Sequence, residues 1–267
     1  MNAHSLRSLE QLPQVIPAET LLARPGLVDL WYFPYQETES QDPIFWDSHS
    51  TLLHKEEWTR HDRFVFPRDR LLFMATRILV RSVLSKYAPI SPQEWQFSTE
   101  TYGKPFLSGP PLPNVSALHF NLSNAHEMVI CAVSTIHSQL GADVERMDRV
   151  EQPMDIAEHY FSAVEIAALR QLPVEQQHER FFAYWTLKES YIKARGLGLN
   201  LPLKDFSILL REEGEPPKEP QIVFAPELDD VSTNWRLALL RGSARHLVAV
   251  AVETGGAPLE LRGQRFP

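Results

Sequence analysis

Between residues 68 and 87 the apolar positions fall three and four apart. Leu71, Leu72, Ala75, Ile78, Leu79 and Val83 share one face, and Arg70, Arg77 and Arg81 stand off it. That period predicts an amphipathic helix with one face in a core. Elsewhere apolar residues gather in short blocks, which predict strands at 28–33, 95–99, 117–122 and 128–134, the last two paired. Gly103 and Pro105 mark a turn, and Pro110, Pro111 and Pro113 a loop. Beyond them the order repeats, with helices expected at 163–170 and 179–195 and strands near 206–210, 235–240 and 247–252. Residues 1–26 carry Pro13, Pro17, Pro25 and Gly26 with little periodicity and are expected to form an irregular lead-in.

The repetition extends to the letters. HEMVICAV begins at His126 and HLVAVAV at His246, while Arg63-Phe64 precedes the first long helix as Arg180-Phe181 opens its counterpart. This predicts an α+β chain of two related halves, residues 27–137 and 138–267, joined near 135–140. A site is expected where they meet.

With 267 residues and 43% hydrophobic content the chain can bury a core for one large domain or two small ones. Its net charge of −8 argues against nucleic acid as a partner, since that role needs a concentrated basic face. The single cysteine, Cys131, lies in the apolar run MVICAV and reads as a buried hydrophobe without an intrachain disulfide, as expected in a reducing cytoplasm. MNAHSLRSLEQLP has no apolar signal core, and no stretch reaches the roughly 18 consecutive apolar residues of a membrane span. The expectation is a soluble cytoplasmic protein with no membrane partner.

The candidate chemistry is split. In GADVE at 141–145, Asp143 and Glu145 share one face of an extended segment. In WTLKESYIK at 185–193, Glu189 and Lys193 lie one helical turn apart. If the two faces meet, three carboxylates and an ammonium converge, a hard-oxygen set suited to Mg²⁺ shared with substrate phosphates. Each part also has a plain structural reading: a solvated strand paired with Arg146 and Arg149, and an internal Glu189–Lys193 pair. Lys104 projects from the turn TYGKPFL, and Ser123 and Asn124 end FNLSNA. All three can meet phosphate or serve their own turns. Arg60, Arg63, Arg68, Arg70, Arg77 and Arg81 outweigh Asp62 and Asp69 locally and form an anion-facing patch. G-x-S-x-G, H-E-x-x-H, Walker A and G-x-G-x-x-G strings are absent from the sequence.

Taken in order, RFVFPRD, YGKPFL, FNLSNA, GADVE and WTLKESYIKARGLGL make the chain similar to the Sfp-type 4′-phosphopantetheinyl transferases, over roughly residues 52–254. The resemblance implies two pseudo-twofold-related α+β halves. It also implies transfer of the 4′-phosphopantetheine arm of coenzyme A to a serine of an apo acyl or peptidyl carrier protein, releasing 3′,5′-ADP, as a holo-(acyl-carrier-protein) synthase type of enzyme. Position by position it implies Asp143, Glu145 and Glu189 as Mg²⁺ ligands, Glu189 also as base, and Lys193 beside the diphosphate. Arg60, Lys104, Asn121, Ser123, Asn124 and Lys193 are implied as coenzyme A contacts. The chain departs from the family at Asn124, where many members carry histidine, and at Ala142, where a larger aliphatic residue is usual. Carriers of this family are acidic, so a basic or apolar docking face is expected, with residues 160–172 as the candidate. Two fused halves imply a working monomer. The rivals are a non-catalytic coenzyme A- or carrier-binding paralogue and a different Mg²⁺-dependent diphosphate enzyme.

Overall fold

The computed structural model describes residues 6–16, 24–36, 42–112, 117–149, 152–210 and 219–267. In chain order these form β1 (Leu27–Phe33), α1 (Pro43–Ser50), α2 (Lys55–His61), α3 (Pro67–Leu84), β2 (Gln96–Thr99), β3 (Pro105–Gly109), β4 (His119–Ala125), β5 (Met128–Ser134) and β6 (Leu140–Arg146). They continue with α4 (Pro153–Tyr160), α5 (Ala163–Gln171), α6 (Val174–Arg195), β7 (Phe206–Leu209), β8 (Gln221–Phe224), β9 (Trp235–Arg241), β10 (His246–Glu253) and β11 (Glu260–Arg265). The fold is α+β.

Two main sheets, ordered β11-β1-β5-β4 and β6-β10-β9, pack face to face. Alternation along each strand sends one set of side chains between the sheets and the other outward. Val28, Leu30, Ile130, Ala132, Ala142, Val144, Val248 and Val250 fill the space between them. On the outer face of the first sheet, Trp31, Phe33, Val129, Cys131 and Val133 meet Ala75, Ile78, Leu79 and Val83 of α3. On the outer face of the second, Leu237, Leu247, Ala249 and Ala251 meet Phe181, Leu187, Tyr191 and Ile192 of α6. The apolar blocks MVICAV and LVAVAV are therefore buried on both faces, which is why neither shows alternation.

The strongly periodic elements lie where expected, and the differences have local causes. The helix expected over 179–195 starts at Val174, because its first turns, VEQQH, are too polar to show a period. It ends at Gly196, whose φ of +65° is the left-handed turn that closes a helix. β11, ELRGQR, has no apolar alternation. It pairs parallel with β1 and is fixed by a buried Arg262–Asp29 bridge, with Nε–Oδ1 at 2.6 Å and Nη2–Oδ2 at 2.9 Å. A strand from the 138–267 range thus completes the sheet of the 27–137 range. The lead-in is anchored rather than irregular where described, since Leu9, Leu12 and Val15 are buried and Ser8 and Gln14 bridge to Arg241 and Gly263. Its residues 1–5 and 17–23, Pro113 of the expected loop, and the Arg149 side chain lie outside the described residues. Among the described residues no helix is long and apolar enough to cross a membrane.

Buried charge pins α6 to its neighbours. Lys188 and Glu165 have fully buried side chains 2.8 Å apart. The ammonium also donates to the carbonyls of Leu203 (2.7 Å) and Phe206 (2.6 Å), so its three donors have three acceptors. Glu165 in turn accepts from the Ile208 and Ser162 N–H groups, joining α5, α6 and β7. Burial still pulls the Lys188 ammonium down to about 8, with Glu165 pulling the other way. Lys188→Met strands a buried carboxylate and is expected to cost ~3–5 kcal/mol in denaturant unfolding. A loss below the scatter of surface substitutions would show that the pair is not closed to water.

Candidate functional site

The site lies where β4, β6 and α6 come together. β4 and β6 are neighbours that exchange no backbone ladder, and side chains bridge them instead. The Ala142 N–H donates to Asn121 Oδ1 (2.9 Å) and the Val144 N–H to Ser123 Oγ (3.2 Å). Asn121 and Ser123 stand two apart on β4, so both face the same edge. The FNLSNA motif is in this way a joint between the two sheets.

On β6 the residues alternating with Ala142 and Val144 face α6. Gly141 is the closest point, because a Cβ built there would lie 2.0 Å from the Ser190 carbonyl oxygen and 2.4 Å from the Ala194 nitrogen. The bare glycine lets the helix settle onto the strand, and Lys193 then reaches Asp143. Its Nζ donates to Asp143 Oδ1 (2.6 Å) and Ser123 Oγ (2.7 Å), while Ser123 Oγ donates to Asp143 Oδ1 (2.9 Å). The hydroxyl thereby uses its one donor and both acceptor positions. Asp143 Oδ2 is buried with no hydrogen-bond partner.

Glu189, one turn before Lys193, has its carboxyl pushed above the ordinary range by burial and then by the charge of Asp143, with Lys193 acting in the opposite sense. Glu145 accepts from the Trp185 indole N–H at 3.1 Å. Lys104 is not projecting freely: it donates to the Ala194 carbonyl at 2.7 Å, at the end of α6, and burial lowers its ammonium, with Glu100 opposing. A cleft of about 260 Å³ is lined by Lys104, Asn121, Glu189 and Lys193 together with Tyr102, Gly103, Pro105, Leu122, Ile192, Gly196 and Gly198.

Of the residues singled out in the sequence, Asp143, Ser123, Lys193 and Glu189 form one electrostatic cluster, with Asn121 and Lys104 on the same cleft. Asn121 is 3% exposed and its carbonyl is committed to the strand joint. Asn124 is exposed at the end of β4, with its Nδ2 3.5 Å from Thr76 Oγ1 of α3. Arg60 stacks on Phe73 at 5.5 Å and stands apart from the cluster. Gly141, Trp185 and Thr76 were missed as working residues, although Gly141 and Trp185 sit inside the motifs.

Among the described residues no three His, Cys, Asp or Glu side chains are gathered to hold a metal. Asp143 carries Lys193 as its counter-cation instead. The donor set nonetheless suits a hard cation, because Asp143 Oδ2 is buried and unpartnered and a second carboxyl, Glu189, is raised in its neighbourhood.

A model of the 4′-phosphopantetheinyl transferase superfamily matches residues 139–251, and one of the 4′-phosphopantetheinyl transferase N-terminal region matches residues 39–136. The 4′-phosphopantetheinyl transferase HetI of Nostoc sp. strain PCC 7120 is 37% identical over 226 residues, 84% of this chain and 87% of that one. The 4′-phosphopantetheinyl transferase Sfp of Bacillus subtilis strain 168 is 35% identical over 62% of this chain and 70% of its own length. The L-aminoadipate-semialdehyde dehydrogenase-phosphopantetheinyl transferase of Xenopus laevis is 28% identical over 75% of this chain and 68% of its own.

Gly141→Ala forces α6 off β6 and is expected to cost ~1–3 kcal/mol in denaturant unfolding. A midpoint equal to that of the parent protein would contradict so close an approach.

Proposed function

The chain belongs to the 4′-phosphopantetheinyl transferase superfamily, and on that premise we propose that it moves the 4′-phosphopantetheine arm of coenzyme A onto a serine of an apo carrier protein. The observation that carries this reading is the junction of Lys193 with Ser123 and Asp143, at a cleft that Lys193 and Glu189 line. The serine oxygen bonds to phosphorus, the bond from phosphorus to the departing oxygen breaks, and 3′,5′-ADP leaves. On an acyl carrier this makes the protein a holo-(acyl-carrier-protein) synthase, and on a peptidyl carrier the chemistry is the same.

Asp143, Glu145 and Glu189 are the residues that would hold Mg²⁺, which when bound supplies positive charge to the diphosphate. The remaining work falls to the chain. Glu189 is the base in this reading: its raised carboxyl lies nearer neutrality than a free glutamate, which favours taking up the serine proton, directly or through water. Lys193 brings an ammonium to the departing phosphate, and Ser123 holds that ammonium at the cleft wall. Lys104 faces the same cleft, while Asn124 and Arg60 stand on the α3 side as outer coenzyme A contacts in this assignment. Because β4 and α6 of one chain supply the junction, a monomer suffices. The buried Cys131 agrees with a cytoplasmic setting. We assign the two halves to residues 27–137 and 138–267, each centred on a sheet backed by one long helix, with β11 of the second range added to the first sheet.

Incubation with coenzyme A, Mg²⁺ and an apo carrier is expected to add one phosphopantetheine arm by mass, and Asp143→Ala or Glu189→Gln to abolish that gain in a folded protein. Coenzyme A breakdown without carrier would instead indicate a hydrolase, and binding without reaction a scaffold. Normal turnover by either variant would remove the carboxylate assignment.

We assign carrier docking to the surface of residues 160–172. Tyr160 and Val164 are 51% and 56% exposed, and Tyr160 meets the edge of Trp185, whose indole donates to Glu145. Arg170 sits there, exposed and paired with Glu158 at 2.7 Å. Arg170→Glu is expected to raise KM for an acidic carrier with kcat little changed. An unchanged KM would move the docking face elsewhere.

A further inference from the structure

The two lysines of α6 differ in how far their donors are used. Lys188 has all three hydrogens on buried oxygens. Lys193 holds Asp143 Oδ1 and Ser123 Oγ, is 30% exposed, and lines the cleft. It is a point charge on a long flexible stem. The carboxylate under it is nearly closed to water, 5% exposed, and one of its oxygens has no partner.

A cation entering the cleft therefore finds Asp143 already neutralised. With Lys193 in place, the assigned carboxylates Asp143, Glu145 and Glu189 offer two net negative charges in place of three, and the one Lys193 covers is Asp143, so a divalent ion alone is held less well. An anionic diphosphate changes this. It offers the ammonium a partner on the cleft side and adds oxygens of its own.

Building on the transferase reading, we infer that Lys193 is an internal counter-cation that keeps Asp143 closed to metal until a diphosphate draws the ammonium away. Metal and diphosphate thus enter as a coupled pair. By linkage the coupling is reciprocal: the metal strengthens diphosphate binding by the factor with which diphosphate strengthens metal binding. The single residue that sets the factor is Lys193. Ser123 keeps the ammonium on the carboxylate, because the Val144 N–H and the Asp143 oxygen fix its hydroxyl.

The test uses the full chain and Mn²⁺ as the metal, with free Mn²⁺ read by electron paramagnetic resonance, with and without inorganic pyrophosphate. The parent protein is expected to bind Mn²⁺ weakly alone and roughly tenfold tighter with pyrophosphate. Lys193→Met removes the charge and keeps an apolar stem. It is expected to bind Mn²⁺ alone roughly tenfold tighter than the parent, with the pyrophosphate effect reduced. Thermal unfolding of the variant near the parent midpoint shows that it is folded. Mn²⁺ binding by Lys193→Met no tighter than by the parent overturns the inference while leaving the transferase reading intact, provided Asp143→Asn still weakens Mn²⁺ in the presence of pyrophosphate. Mn²⁺ binding indifferent to Asp143→Asn in every condition overturns both this inference and the metal assignment beneath it.

Discussion

The site depends on a joint between two strands that do not share a ladder. β4 and β6 lie side by side at the edges of different sheets, and the N–H groups of Ala142 and Val144 must find acceptors there, because buried backbone donors are costly to leave unpaired. They find them in Asn121 Oδ1 and Ser123 Oγ. A main-chain ladder would satisfy the same donors but would bring the strands into one continuous sheet. The side-chain joint leaves the two sheets free to pack face to face, and it places a hydroxyl beside Asp143, the acidic side chain that Lys193 of α6 bonds. The strand joint and the Lys193–Asp143 cluster thus share Ser123.

This explains what the sequence could and could not reveal. The long helices and apolar strands were legible because burying them requires a period, or an unbroken apolar run, that survives in the letters. Asp143, Glu145, Glu189 and Lys193 were legible as faces: alternation in GADVE and the four-residue step in KESYIK both hold in the structure. The contacts between faces were not legible. Asn121 reads as a ligand contact in the sequence, and in the structure its Oδ1 also accepts from Ala142 while the residue lines the cleft; Lys104 reads as a projecting cation but donates to the last turn of α6. Each satisfies a backbone group that appears only once the chain has folded. β11 and the anchored lead-in escaped for a related reason. Their place depends on partners far away in sequence, such as Asp29 for Arg262 and Gly263 for Gln14, and their own letters carry little apolar pattern.

Gly141 shows how little sequence can be needed to set a distance. It has no unusual φ, so the usual argument from backbone freedom does not apply to it. Its role is to lack a Cβ where the Ser190 carbonyl and the Ala194 nitrogen come closest. The neighbouring Ala142 points the other way, into the layer between the sheets. A larger residue at position 142 would therefore act on sheet packing, whereas one at 141 would act on the separation between Asp143 and Lys193. Two adjacent small residues control different spacings because a strand alternates its faces.

The same helix carries charge in two opposite conditions, and the difference is one of saturation. Lys188 and Glu165 are fully enclosed, and each oxygen and hydrogen they present has a partner. Moving any one of them would expose the others as unpaired buried charge, so the pair is rigid. Lys193 and Asp143 are incompletely matched: the ammonium reaches the cleft and Asp143 Oδ2 is alone. Such a pair loses less when it separates, provided that something in the cleft replaces both halves at once. A lone anion would satisfy the ammonium and strand the carboxylate, and a lone cation would do the reverse. Only an ion pair brought in together satisfies both, which is the physical basis of the coupling proposed between metal and diphosphate.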